Sequence, residues 1–264
     1  MPLTRTQLPT PRASGSGLPD LGAELACGGD ALSVRYQPQV ELVTGRVTAV
    51  EAVPYWQHPE HGELALGDLT GVEPALLAAA GEQLLARAVG QVVAWRALPG
   101  RSDLQLSLGL SDVELRRPER LLSVLHGAGL PAHALVVGVL EDVVSHKGAV
   151  AALEAFVSAG VQLALDRFGT GAASLHHLRA LPVSVLRVDA SFVAGLGSNP
   201  RDEAIVRALT ALTADLGARC LADGVAVDRQ LAWLVDNEVP LGQGPLLHRS
   251  RSAPDLTALL REVG

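Results

Sequence analysis

The chain has 264 residues, 48% of them hydrophobic, which supplies a sizeable core and excludes global disorder. Aromatic residues are only 3%, so that core must be built mainly from Ala, Leu and Val. The net charge of −7 is spread over mixed acids and bases, and no basic stripe marks a nucleic-acid binder.

Residues 1–20 are rich in Pro, Gly, Ser and Thr and read as a flexible tail, with a single domain over 21–264. The N-terminus has no apolar h-region, so no signal peptide is expected. The cysteines, Cys27 and Cys220, form no CxxC pair and no disulfide framework, which fits a cytoplasmic protein. A GGD at 28–30 stands alone and is taken as chance. SVRYQPQVEL, a TGR turn and VTAVEAVPYW predict two strands over 33–56. A helix is predicted over 74–98. Its apolar stretch, 76–95, contains Glu82, Gln83, Arg87 and Gln91, so it is amphipathic and not a membrane span. Short apolar runs then alternate with helical patterns. Strands are predicted at 104–110, 135–141, 161–166, 183–189 and 218–225. Helices are predicted near 117–128, 147–159, 171–179, 201–216, 227–237 and 254–262. The clearest is 201–216: Asn199 can cap it, Pro200 suits its first turn, and Ala204, Ile205, Ala208, Leu209, Leu212 and Leu216 share one face.

This alternation argues for a parallel sheet with helices outside, and seven or eight units suit a closed (β/α)₈ barrel. A doubly wound open sheet is the alternative, but no strand is followed by GxGxxG. Barrel chemistry sits at the C-terminal strand ends. Those ends carry Glu51, Gly109, Glu141, Asp166 with Arg167, Arg187 with Asp189, Asp223 and Gln243. Four of these carboxylates, Glu51, Glu141, Asp166 and Asp223, would point into one mouth and repel each other, and a divalent cation is the usual remedy. Arg167 and Arg187 are placed to do the same. A single acid at a strand end is as readily a helix N-cap, and Asp189 before ASFV and Asp223 before GVAV suit that role.

The segments YQPQVELVTGRVTAVEAV (36–53), LDRFGTGAASLHHLRALPVSVLRVDASFV (165–193), ADGVA (222–226) and QG (243–244) together resemble an EAL domain. Motif order and spacing are kept from about Leu32 to Leu260. The resemblance implies a (β/α)₈ TIM-barrel-like α/β fold with one antiparallel strand. For active members it implies hydrolysis of cyclic di-GMP to linear pGpG with two divalent metals, typically Mg²⁺ or Mn²⁺. It also implies a possible homodimer through the segment after FGTG.

The scaffold motifs match better than the site. The signature triplet is Glu51-Ala52-Val53, and Tyr55 replaces a phosphate-binding arginine ahead of Trp56. The family's metal-binding asparagine falls on Gly109, and its paired glutamates fall on Gly138 and Glu141. A double aspartate becomes Asp166-Arg167, the lysine thought to help activate water becomes Arg187, and two loop glutamates become Asp223 and Ala226. Gln37 and Gln243 are kept. Two-metal hydrolysis needs enough oxygen ligands to fix both ions. Gly109 and Gly138 offer no side chain, a guanidinium repels a cation, and arginine does not deprotonate to act as a base. Arginine dominates the positive charge throughout, Lys147 being the one lysine, so the exchange at Arg187 alone carries less weight.

The expectation is therefore a noncatalytic, regulatory protein-interaction module with an unidentified protein partner and no cofactor. Glu51, Glu141, Asp166 and Asp223 would then be remnant acids paired with Arg167 and Arg187. The alternative is a cyclic di-GMP receptor without hydrolysis, using Gln37, Phe168, Arg187, Asp189 and Gln243. A residual phosphodiesterase holding one Mg²⁺ or Mn²⁺ on Glu51, Asp166 and Asp223 is the third reading. His58, His61, His176 and His177 read as solvated or helix-surface residues, Trp95 and Trp233 as packing residues, and the cysteines as ordinary thiols.

Overall fold

The computed structural model describes residues 31–58, 61–69, 72–110, 112–140, 148–168 and 181–262. The first strand β1 (Leu32–Glu41) turns back on β2 (Val47–His58) as an antiparallel pair, with Gln37 opposite Glu51. Gly45, at φ 70°, takes the left-handed turn position between them. A short β3 (Gly62–Ala65) lies on the far half of β2. It has four residues and no readable period, so the sequence pattern does not announce it. Helix α1 (Pro74–Arg96) follows, then β4 (Gln105–Gly109), α2 (Pro118–Ala128), β5 (Leu135–Leu140), α3 (Ala149–Ser158), β6 (Gln162–Phe168) and β7 (Val183–Val188). Helix α4 (Pro200–Asp215), β8 (Arg219–Asp223), α5 (Asp228–Asp236), β9 (Leu241–Gln243) and α6 (Ala253–Glu262) complete the order. The helix predicted at 171–179 lies outside the described residues.

The strands run β1-β2-β4-β5-β6-β7-β8-β9 and close, because β9 pairs with β1. The result is an eight-stranded barrel, with β3 an extension outside it. β1 is antiparallel to both neighbours, while the steps from β2 through β4 to β9 are all parallel. The open-sheet alternative is therefore excluded.

Strand side chains alternate between the barrel interior and the helices. One set, including Leu106, Val137, Leu163, Leu186 and Cys220, packs outward against Leu153, Phe156, Leu234 and Leu256 of the helices. The other set stacks in layers along the barrel axis. Val136, Ala164, Val185, Leu221 and Leu241 form a separate buried apolar plug. Two residues along each strand in one direction come Gly138, Asp166, Arg187, Asp223 and Gln243. Two residues in the other direction, on β6 and β8, come Gln162 and Arg219; on β7 the register shifts here, so that Val183 stands opposite Leu163 and packs with the outward set. The barrel is thus apolar at its waist and polar at both ends.

Trp95 ties α1 to α6: its indole N–H donates to Thr257 Oγ1 at 2.8 Å, and its ring meets Tyr36 edge-on at 4.7 Å. Cys220 is 1% exposed, and burial pushes its thiol up to about 11, opposed by the Thr210 hydroxyl. It is therefore neither a nucleophile nor a redox group at neutral pH.

Helix α4 begins as the sequence predicts, with the Asn199 side chain accepting from the Arg201 N–H at 3.1 Å. Its buried face agrees only in part: Leu209 is buried and Leu212 packs on the core as predicted, Val206 and Thr213 join them, and Ala204, Ile205, Ala208 and Leu216 are exposed. Thr213 can take an inward position at little cost, since its hydroxyl donates to the Thr210 carbonyl at 2.8 Å. Small alanines carry little packing preference and leave the choice open.

Gly244 holds the end of β9. Its φ is 151°, and a Cβ there would lie 2.3 Å from both N and O of Val225. Those backbone groups are already committed, Val225 N–H to Gln243 O and Val225 O to Leu246 N–H. Gly244→Ala should destabilise the chain by at least about 2 kcal/mol in urea unfolding, through strain and backbone displacement. Asn199→Ala should cost about 1 kcal/mol through loss of one cap.

Candidate functional site

The C-terminal mouth is organised around Arg187. It projects from β7 into the barrel and is 4% exposed. Its Nη1 lies 3.2 Å from Glu51 Oε1 and 3.3 Å from Asp166 Oδ1, and its Nη2 donates to the Ser107 hydroxyl. Ser107 is fully buried. The opposite wall is set by Gln243. Its amide donates to Glu51 Oε2 at 3.0 Å and to Asp223 Oδ1 at 2.9 Å, and its oxygen accepts from the Gln39 amide at 2.9 Å. Both donors and the acceptor of Gln243 are used, so its orientation is fixed. Three carboxylates from β2, β6 and β8 are therefore held by one cation and one amide.

Burial disfavours a charged guanidinium, but Asp166, then Glu51 and Asp223, outweigh it and hold Arg187 above its ordinary value. It is cationic at any usable pH.

The two arginines singled out in the sequence have separate fates. Asp166 and Arg167 together stand opposite one position of β7, between the Leu165–Leu186 and Phe168–Val188 pairs. This bulge aims Asp166 at Arg187 and leaves Arg167 exposed, with φ 53°. A non-glycine residue there carries about 1–2 kcal/mol of strain. The guanidinium between Glu51 and Asp166 is thus that of Arg187. Phe168 returns to the core at 5% exposure.

The two glycines also differ. A Cβ at Gly109 would meet nothing within 4 Å, whereas one at Gly138 would lie 2.5 Å from Asp166 Oδ2. The Asp166 carboxylate lies in the space that a side chain at 138 would need. Asp189 accepts from the Ser191 N–H at 2.9 Å and caps the short helix Ala190–Val193. Asp223 is no cap, since the next helix starts at Asp228 and its start is covered by Gln230, which accepts from Ala226 and Val227 N–H. Ala226 is exposed. Gln37 donates to the His248 carbonyl at 2.7 Å. Glu141 lies outside the described residues. Ser107 and Gln39 were missed from sequence, although each lies two residues along its strand from a singled-out position.

Two divalent ions would need several free oxygens each, held at short range. Glu51, Asp166 and Asp223 are already engaged, a guanidinium lies between the first two, and Gly109 and Gly138 contribute no oxygen. Among the described residues, no group of three or more His, Cys, Asp or Glu is gathered to hold a metal. As arranged, these residues do not fit the metal pair.

A profile described as the EAL domain matches residues 23–250. The chain is 33% identical over 239 residues to the cyclic di-GMP phosphodiesterase NbdA of Pseudomonas aeruginosa, covering 88% of this chain and 30% of that protein. Among solved structures, the PaMucR phosphodiesterase in complex with c-di-GMP superposes with a TM-score of 0.82 at 30% identity, over 89% of this chain and 99% of that one. The EAL domain of Mycobacterium smegmatis DcpA gives 0.75 at 31% identity, over 88% and 98%. The chain spans about a third of the length of the curated relatives it matches. With the closed barrel, its one reversed strand and a profile match over most of its length, the chain belongs to the EAL domain family.

Proposed function

We propose that this chain is a noncatalytic EAL-domain protein that works as a regulatory protein-interaction module derived from cyclic di-GMP signalling. The observation that carries the reading is the buried Arg187 guanidinium between Glu51 and Asp166. A fixed internal cation offsets the acid repulsion that a metal would otherwise relieve. No Mg²⁺ or Mn²⁺ is then required, and no water is activated between two ions.

The residues left for cyclic di-GMP are largely employed in holding the fold. Asp189 caps a helix, Phe168 is buried, Gln37 binds a main-chain carbonyl and Gln243 holds two acids. This favours output through contact with a protein over output through the nucleotide. The second reading, a receptor without hydrolysis, is favoured by one finding: the PaMucR structure, at 30% identity, is a c-di-GMP complex. Calorimetry separates the two. Under the first reading about 500 µM cyclic di-GMP gives no binding heat, whereas saturable heat without product supports the receptor.

Purified chain should show no cyclic di-GMP turnover above background with Mg²⁺ or Mn²⁺, and chelation with EDTA should leave its melting temperature unchanged. Metal-dependent turnover to pGpG would overturn the proposal. Arg187→Ala should lower unfolding free energy by about 2–4 kcal/mol, because it leaves part-buried acids without their cation. A variant as stable as the parent in urea would show that the acids do not depend on Arg187.

A further inference from the structure

The end of the barrel opposite the acid cluster carries an open, largely polar recess of about 700 Å³. Thr48, Gln105, Gln162, Ser184 and Arg219 line it from the starts of five strands, and the Arg46–Asp103 ion pair stands at its rim. This volume is far larger than one ion needs and lies within the range of small-molecule sites. The apolar plug of Val136, Ala164, Val185, Leu221 and Leu241 separates it from the mouth. Arg219 and Asp223 are four residues apart on β8, about 13 Å at strand rise.

Arg219 is the odd member of this recess. It is half-buried, and its described hydrogen bond is from Nη2 to the Gln105 side-chain oxygen at 3.1 Å. It has no carboxylate partner among the described residues. The barrel therefore contains two arginines in opposite circumstances. Arg187 is more deeply buried, yet its acids hold it above the ordinary value. Burial lowers Arg219, with no acid to offset it. A partly desolvated guanidinium at an open recess, with no carboxylate beside it among the described residues, is suited to take up an anion.

The remaining groups suit an oxyanion. Gln105 and Gln162 each direct one amide N–H at the His133 carbonyl, at 3.2 and 2.9 Å, which fixes both side chains and leaves the second N–H of Gln162 free to donate. The Ser184 hydroxyl comes from β7. Three adjacent strands, β6, β7 and β8, thus each bring one donor-bearing side chain to the lining, which offers the several terminal oxygens of a tetrahedral phosphate more partners than a carboxylate can use.

We propose that this recess at the N-terminal end of the barrel binds a small phosphorylated molecule, with its phosphate on Arg219, Ser184 and Gln162. The assignment is independent of how the mouth is read.

Titration of the full chain with inorganic phosphate at constant ionic strength, followed by amide and arginine side-chain NMR, tests it. Saturable shifts are expected at Ser184, Gln162 and Arg219, with half-saturation at about 1 mM. Arg219→Gln should weaken binding at least tenfold. If that variant does not fold, Arg219→Lys, which keeps the charge and loses the fork, should still weaken it measurably. Acetate should bind more weakly than phosphate. Unsaturated drift up to about 50 mM phosphate, shifts confined to Glu51, Ser107 and Gln243, equal affinity for acetate, or unchanged affinity in the Arg219 variants would each overturn it.

Discussion

Three carboxylates in one barrel mouth cannot stay ionised together without a compensating charge, and in this chain that charge is covalently attached. Arg187 sits where Glu51 and Asp166 converge, and Gln243 extends the arrangement to Asp223. The cost of burying the guanidinium is offset only because the acids are there, and the acids tolerate burial only because it is there. The surrounding details follow from this mutual requirement. Ser107 is small and hydroxylic because Nη2 needs an acceptor. Gln39 is an amide because Gln243 must be oriented. Gly138 is bare because the Asp166 carboxylate uses the adjacent space.

An internal cation differs from a bound metal in what it can do next. A metal exchanges its ligands, accepts a substrate oxygen and lowers the pKa of a water. A guanidinium donates hydrogen bonds in fixed directions and keeps its protons. It can hold the acids in place at any metal concentration, but it cannot polarise a phosphoryl group while also serving as their partner. On the proposed reading, the motif backbone persists while the cation at its centre has changed from an exchangeable ion to a side chain.

Much of this was legible in the sequence, for identifiable reasons. Alternating strands and helices pointed to a parallel sheet, because parallel strands require crossovers, and the number of units favoured a barrel, while its closure through β9 and β1 is seen only in the structure. Acids at successive strand ends located the mouth. Ser107 and Gln39 escaped because neutral polar residues inside strands give no charge signal, even though pleat parity places them beside Glu51 and Gln243. Asp166 and Arg167 were read together as facing the mouth, yet consecutive strand residues cannot share a face, and the bulge resolves this by turning the second outward. The face of α4 was only partly legible, because a burial-tolerant threonine competes with exposed alanines, and periodicity cannot weigh the two.

The reversed strand has a consequence beyond barrel closure. In a wholly parallel barrel every strand starts at the end away from the mouth. Here β1 runs the other way, and Leu32 pairs with Trp56, beyond Glu51 on the mouth side. Leu32 therefore lies on the mouth side of the barrel, five residues past the Gln37–Glu51 pair, and not at the end where the parallel strands start. A group joined covalently at Leu32 would reach the rim as an intramolecular partner, so that its contact there would depend on the tether's length and not on bulk concentration.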